Sequence, residues 1–329
     1  MKQVLKKSLI LDQEISLGIY KKLYEIRRVE EKIAESYPEQ EMRCPVHFSI
    51  GQEACAVGVC EYLNEKDHVY STHRCHGHYL AKGGNLPSMI AELYGKIDGC
   101  ASGKGGSMHL IDVEVGMMGA SAIVGGSIPL ALGSALTYQL QNKKNVAVAF
   151  FGDGASEQGV FYESLQFASL RKLPVIFVCE NNMYATYSSL EQRQPLDNIF
   201  ERAKFSNMPG FRTDGNNILD ILNISKEAIE RARNGEGPTL IECRTYRWLD
   251  HVGPNEDIDI GYRTRDELNS WIENCPLKNY ENYLIKERKF EENKLKNIRN
   301  SVEQNISDAF EFAKKSPFPS KKDLYEGVY

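Results

Sequence analysis

The chain has 329 residues, 42% of them hydrophobic and 26% charged, with a formal net charge of -5. That length buries a substantial core without staples, as one large α/β domain or two of average size. The mildly acidic balance removes the electrostatic reason to expect nucleic acid as a partner. Eight cysteines stand at 44, 55, 60, 75, 100, 179, 243 and 275 with no CxxC pair, so they read as reduced thiols of a cytoplasmic protein. The start, MKQVLKKSLILDQEIS, has no sustained apolar stretch, so no signal peptide is expected. No uncharged apolar run of about 18 residues exists to span a membrane.

In chain order, residues 12–37 predict an amphipathic helix, with Leu17, Tyr20, Tyr24, Ile26 and Val29 at mixed three- and four-residue spacings. Pro45 breaks that pattern. HFSIGQEACAVGVCEYL (47–63) reads as a turn and a helix of small residues able to pack closely on a neighbour. DHVYST (67–72) is a short strand, 86–95 a helix, and GCASGKGGSMHL (99–110) a glycine-rich loop whose backbone can approach a ligand or another chain. Pro129 marks the start of a further helix, IPLALGSALTYQLQ.

NVAVAFF (145–151) is a continuous apolar run, as expected of a strand buried on both faces. A GDGAS turn, a helix over 157–171 (Val160, Phe161, Leu165 and Ala168 on one face) and a second buried strand, LPVIFVCE (173–180), complete a right-handed βαβ unit. The chain then reads as loop to about 217, helix at 218–234 and a third strand within 237–248. Residues 248–264 form a long polar loop, expected to be mobile without partner and cofactor. The last fifty residues read as one charged helix and a tail docked on the surface. The expected fold is α/β: a doubly wound, mostly parallel sheet with helices on both faces. It is expected as a single domain over 1–329, with an N-terminal helical arm (about 1–45) and a C-terminal helical extension (about 266–329).

Asp153 falls at the carboxyl end of a buried parallel strand, where open α/β sheets bind ligands. Gly152 and Gly154 let the backbone bend near an anion, and the following helix N-terminus suits a phosphate. The next strand ends at Asn181–Asn182, which sets Asn182 beside Asp153. A carboxylate, an amide oxygen and a backbone carbonyl make an incomplete all-oxygen set. Magnesium completes such a set with water and phosphate oxygens. GDG, twenty-six residues, then NN matches the thiamine-diphosphate signature in spacing and context. A nicotinamide site fits poorly, because GDGASEQG is not GxGxxG. HRCHGH (73–78) could read as a zinc site, but no second ligand pair at zinc-finger spacing accompanies it.

From about residue 15 to 329 the chain resembles the α subunit of the E1 component of 2-oxo-acid dehydrogenase complexes, in the acetoin and pyruvate dehydrogenase branch. The resemblance rests on HFSIGQEA (47–54), STHRCHGH (71–78), GKGGSMH (103–109), AIVGG (122–126), GDGASEQG (152–159), KLPVIFVCENNMYA (172–185), GYRTRDE (261–267) and the closing SPFPSKKDLYEGVY. STHRCHGH is more similar to acetoin dehydrogenases, since the pyruvate branch usually has Tyr at the place of His73.

The resemblance implies the diphosphate-binding half of the thiamine-diphosphate-binding fold, with thiamine diphosphate and magnesium as cofactors. Asp153, Asn182 and the backbone carbonyl of Tyr184 would ligate the metal. His73, Arg74 and the N–H groups of Gly154 and Ala155 would meet the diphosphate, and the backbone at Ala122 and Val124 the aminopyrimidine and its linker. His47, His76 and His251 are the catalytic candidates, His47 matching a histidine near the substrate. The family's pyrimidine-activating glutamate belongs to a β subunit, so an α2β2 assembly is implied, with lipoyl-bearing E2 as acyl acceptor and a small 2-oxo acid or acetoin as substrate. Two alternatives stay open: a two-carbon-transferring or C–C bond-forming biosynthetic enzyme, and a cofactor-binding subunit without turnover.

Three departures stand out. Leu249 occupies the place of the family's first loop histidine and His251 that of the second, so either His251 turns inward or the group is dispensable. Val252 replaces a loop serine phosphorylated in some members. Ser156-Glu157-Gln158 departs from the usual small-Asn-Gln pattern.

Overall fold

The computed structural model describes residues 11–326. Helix α1 (Gln13–Ser36) starts where the Asp12 carboxylate accepts the Ile15 N–H at 2.8 Å, and buries Ile19, Leu23, Ile26 and Ile33 on one face. In α2 (Glu53–Cys60) every residue is buried. Its small side chains answer a steric demand: a Cβ on Gly58 would come within 2.6 Å of Ile221. Strand β1 (His68–Ser71), α3 (His76–Ala81) and α4 (Leu86–Leu93) follow, and the glycine-rich loop leads into β2 (Met117–Ala120). Then come α5 (Ser127–Leu140), β3 (Ala147–Gly152), α6 (Gly159–Arg171) and β4 (Val175–Asn181).

The stretch after Asn182, expected to be loop, holds a small hairpin, β5 (Tyr184–Ala185) with β6 (Ser188–Ser189), a short helix α7 (Leu190–Arg193) and an edge strand β7 (Gly210–Asp214). Helix α8 (Ile218–Arg233) and β8 (Thr239–Arg244) close the sheet. The C-terminal region is three helices rather than one: α9 (Arg265–Glu273), α10 (Pro276–Lys286) and α11 (Glu292–Lys315). Pro276 opens α10 and sets the break after α9.

Six strands form one sheet in the order β2-β1-β3-β4-β8-β7, all pairs parallel. The chain goes outward from β1 to β2 and then returns to the other side of β1 as β3, so the topological switch lies between β1 and β3. Side chains alternate across the sheet. Val148, Phe150, Ile176 and Val178 face a core shared with α1, α2 and α8, while Ala147, Ala149, Phe151 and Phe177 face one shared with α5 and α6. Both faces are covered, which is why these strands read as unbroken apolar runs.

Helices α10 and α11 return to α1. Tyr24 and Arg28 bond to Glu303 at 2.8 Å each, and Tyr20 donates to Glu281 at 3.1 Å. In the glycine-rich loop the buried Glu92 carboxylate accepts four backbone N–H groups, from Ala101, Gly103, Gly105 and Gly106, at 2.7–3.0 Å. The 248–264 loop is tied around buried Asp257, which pairs with Arg247 at 3.0 Å and with Arg263 Nε at 2.6 Å. No helix among the described residues is long and apolar enough to cross a membrane.

Candidate active site

The carboxyl ends of β1, β2, β3 and β4, the segment before α2 and the loop after β8 enclose a cleft of about 260 Å³. It lies beside the topological switch, where an open parallel sheet leaves room. His47, His73, Arg74, Ala122, Val124, Asp153, Gly154, Ala155, Asn182, Tyr184 and His251 all line it. These residues span two hundred positions in sequence, and the sheet order alone brings them together.

One end of the cleft is built of oxygen donors. Gly152 pairs with Glu180 across β3 and β4, so Asp153 and Asn182 leave adjacent strand ends. Asn182 gives its amide nitrogen to Gln52 Oε1 at 2.8 Å, and its oxygen accepts the Tyr184 N–H at 3.2 Å. Gln52 thereby fixes the amide's orientation. Asp153 is buried, and desolvation raises its carboxyl above the ordinary range despite the opposing charge of Arg193, its partner. Arg193 also pairs with Glu157. A carboxylate, an amide oxygen and nearby carbonyls suit a hard divalent cation. The donor set therefore fits magnesium.

The other end is cationic and imidazole-rich. Arg74 is buried and has no carboxylate partner; it donates to the carbonyls of Phe48 and, at 3.2 Å, His251. Burial and the charge of Arg247 lower it to about 10. A buried guanidinium so placed is short of negative charge, which a phosphate supplies. Burial first, then Arg74, depresses His47 to about 2, His73 to about 3 and His251 to about 4, so all three rings are neutral at working pH.

Two expectations need correction. His76 is not in the cleft: fully buried, it bonds to Glu30 at 3.0 Å and Ser107 at 2.8 Å. It opens α3, and that helix turns its ring toward α1 and the glycine-rich loop. The helix N-terminus foreseen after Asp153 is also set back. A 3-10 turn over Asp153–Glu157 carries Gly154 and Ala155, and α6 begins only at Gly159. The question left by Leu249 has an answer: its side chain packs against the core, and His251 faces the cleft. Sequence reasoning missed Gln52, Glu180 and Arg193. Gln52 and Glu180 stood inside quoted motifs, whereas Arg193 lay in a stretch read as loop.

The sequence profile of the dehydrogenase E1 component family matches residues 21–322. The α subunit of acetoin:2,6-dichlorophenolindophenol oxidoreductase of Bacillus subtilis is 44% identical, covering 100% of this chain and 98% of its own. The protein of the same name from Cupriavidus necator is 39% identical, over 98% of this chain and 96% of its own. The α-3 subunit of the chloroplastic pyruvate dehydrogenase E1 component of Arabidopsis thaliana is 37% identical, over 98% of this chain and 76% of its own. With the motifs and the sheet order already in place, these matches establish that the chain belongs to the dehydrogenase E1 component family.

Proposed function

We propose that the chain is the α subunit of a thiamine-diphosphate- and magnesium-dependent E1-type enzyme that decarboxylates or cleaves a small 2-oxo acid or acetoin. The carrying observation is the pair Asp153 and Asn182 at adjacent strand ends, opening on the same cleft as the anion-seeking Arg74. In this reading Asp153, Asn182 and the Tyr184 carbonyl hold the metal. Arg74, His73 and the Gly154 and Ala155 N–H groups receive the diphosphate. Ala122 and Val124 lie along the aminopyrimidine. When bound, the cofactor supplies the nucleophilic carbon and the electron sink of the reaction. Neutral His47 and His251 can donate or accept a proton at the substrate without adding charge beside Arg74.

A β subunit completes the site in this proposal. Ile123 (73% exposed) and Val124 (53%) stand at the cleft mouth, and Leu130 (56%) extends this apolar surface along α5. Apolar surface of this kind suits burial by another chain. The relatives are themselves named as α subunits, which accords with a paired assembly. Lipoyl-bearing E2 is the proposed acyl acceptor. The second reading, two-carbon transfer in biosynthesis, is favoured by Leu249, which brings no hydrogen-bonding group to the loop.

Reconstitution with a β subunit tests the proposal, using a panel of 2-oxo acids and acetoin with a dye acceptor and with lipoylated protein. Turnover that requires thiamine diphosphate and magnesium is expected. Turnover without them overturns the reading, and cofactor binding with no turnover of any substrate favours a binding subunit instead.

A further inference from the structure

Three histidines from distant parts of the chain converge in the cleft: His47 before α2, His73 after β1 and His251 in the loop after β8. Their ligand nitrogens all lie within 4.8 Å of one another. The ring centroids are 4.6, 5.1 and 5.3 Å apart, and the rings are tilted or edge-on rather than stacked. Imidazoles held at about 2.0–2.1 Å by one tetrahedral ion have their centres about 5 Å apart. The trio already has that spacing.

The hydrogen bonding points the same way. The chain has four other histidines, and each has a ring nitrogen bonded to a protein group: His68 to Ser134, His76 to Glu30, His78 to Ser71 and His109 to the Gly105 carbonyl. None of the three cleft histidines has such a ring bond among the described residues. His47, only 7% exposed, keeps a buried Nδ1 without a partner. Buried polar groups are ordinarily satisfied, so one left open toward a cleft marks a place for a ligand.

We infer that His47, His73 and His251 form a site for a first-row divalent transition ion, zinc foremost, with three imidazole ligands and a fourth position open to the cleft. The ligand chemistry separates it from the Asp153–Asn182 set. Imidazole suits zinc, copper and nickel, whereas magnesium prefers oxygen. Arg74 acts in two ways. By bonding to the carbonyls of Phe48 and His251 it holds two of the three ligand segments in place. Its charge disfavours a bare dication and so selects an anion, hydroxide or carboxylate, as the fourth ligand. The HRCHGH motif contributes only His73, because His76 and His78 turn into the interior.

Cobalt(II) titration of the full chain without thiamine diphosphate tests the site. The expected result is one saturable ion per chain with the intense visible bands of four-coordinate cobalt, displaced by zinc. His73→Phe and His251→Phe, which keep the ring packing, lower the affinity about 100-fold or more. Asp153→Ala leaves the bands unchanged. Weak six-coordinate bands or no saturable binding overturn the inference, as do bands that vanish in Asp153→Ala and persist in the histidine variants. Where a histidine variant loses its far-ultraviolet circular dichroism, the wild-type spectrum alone decides. These readouts do not involve thiamine diphosphate, so they fail or succeed independently of the function proposed above.

Discussion

Glu92 and Asp153 are both buried carboxylates, yet they stand in opposite electrostatic situations. Glu92 has both oxygens occupied by four backbone N–H groups of the glycine-rich loop. Asp153 has one guanidinium, and it opens on the cleft. The first carboxylate is saturated by groups that cannot leave, so it builds the loop. The second is held by a side chain that keeps another partner in Glu157, so it is available to a ligand. Burial alone does not mark a functional carboxylate; incomplete and replaceable satisfaction does.

That contrast can be broken from the Glu92 side with the largest expected effect. Glu92→Ala strands four buried N–H groups, and the denaturant midpoint should report a loss on the order of 3–5 kcal/mol. A loss below about 1 kcal/mol would mean that the loop satisfies itself without the carboxylate. Asp153→Ala should do the reverse. Magnesium-dependent binding of thiamine diphosphate, followed by calorimetry, falls by at least about 100-fold, roughly 3 kcal/mol. Folding stability stays within about 1 kcal/mol, because Arg193 retains Glu157 and reaches water. Unchanged cofactor affinity would remove the metal assignment.

A third buried carboxylate, Glu30, sharpens the comparison through pH. Burial by itself would raise it, but His76 and the Ser49 hydrogen bonds outweigh burial and hold it below its ordinary 4.5. A depressed acid stabilises fully above its unfolded value and loses that contribution as pH falls through its folded one. Thermal melts should therefore lose stability as pH drops below about 4.5, and Glu30→Gln should flatten that acid limb. An identical acid limb in wild type and variant would refute the assignment.

The same contrast explains what the sequence could disclose. The Asp153–Asn182 pair was legible because one βαβ unit of fixed length carries both residues, and their spacing survives folding. The strands β3 and β4 were legible because burial on both faces removes polar residues. The edge strands MMGA and GFRTD were not, since each is short and partly exposed. His76 was misplaced because a motif cannot show which way a short helix turns its first side chain. The three-histidine cluster was invisible for a different reason: its members come from 47, 73 and 251, and only the closed sheet makes them neighbours.

The clasp between α1 and the last two helices carries a consequence for biosynthesis. Ile19, Leu23 and Ile26 leave the ribosome among the earliest residues, but α10 and α11, which join their core, are translated last. Throughout elongation the first helix must wait with its oily stripe uncovered, in need of shelter by a chaperone or by transient contacts. Deleting the final helix would return the nascent chain to that exposed condition permanently.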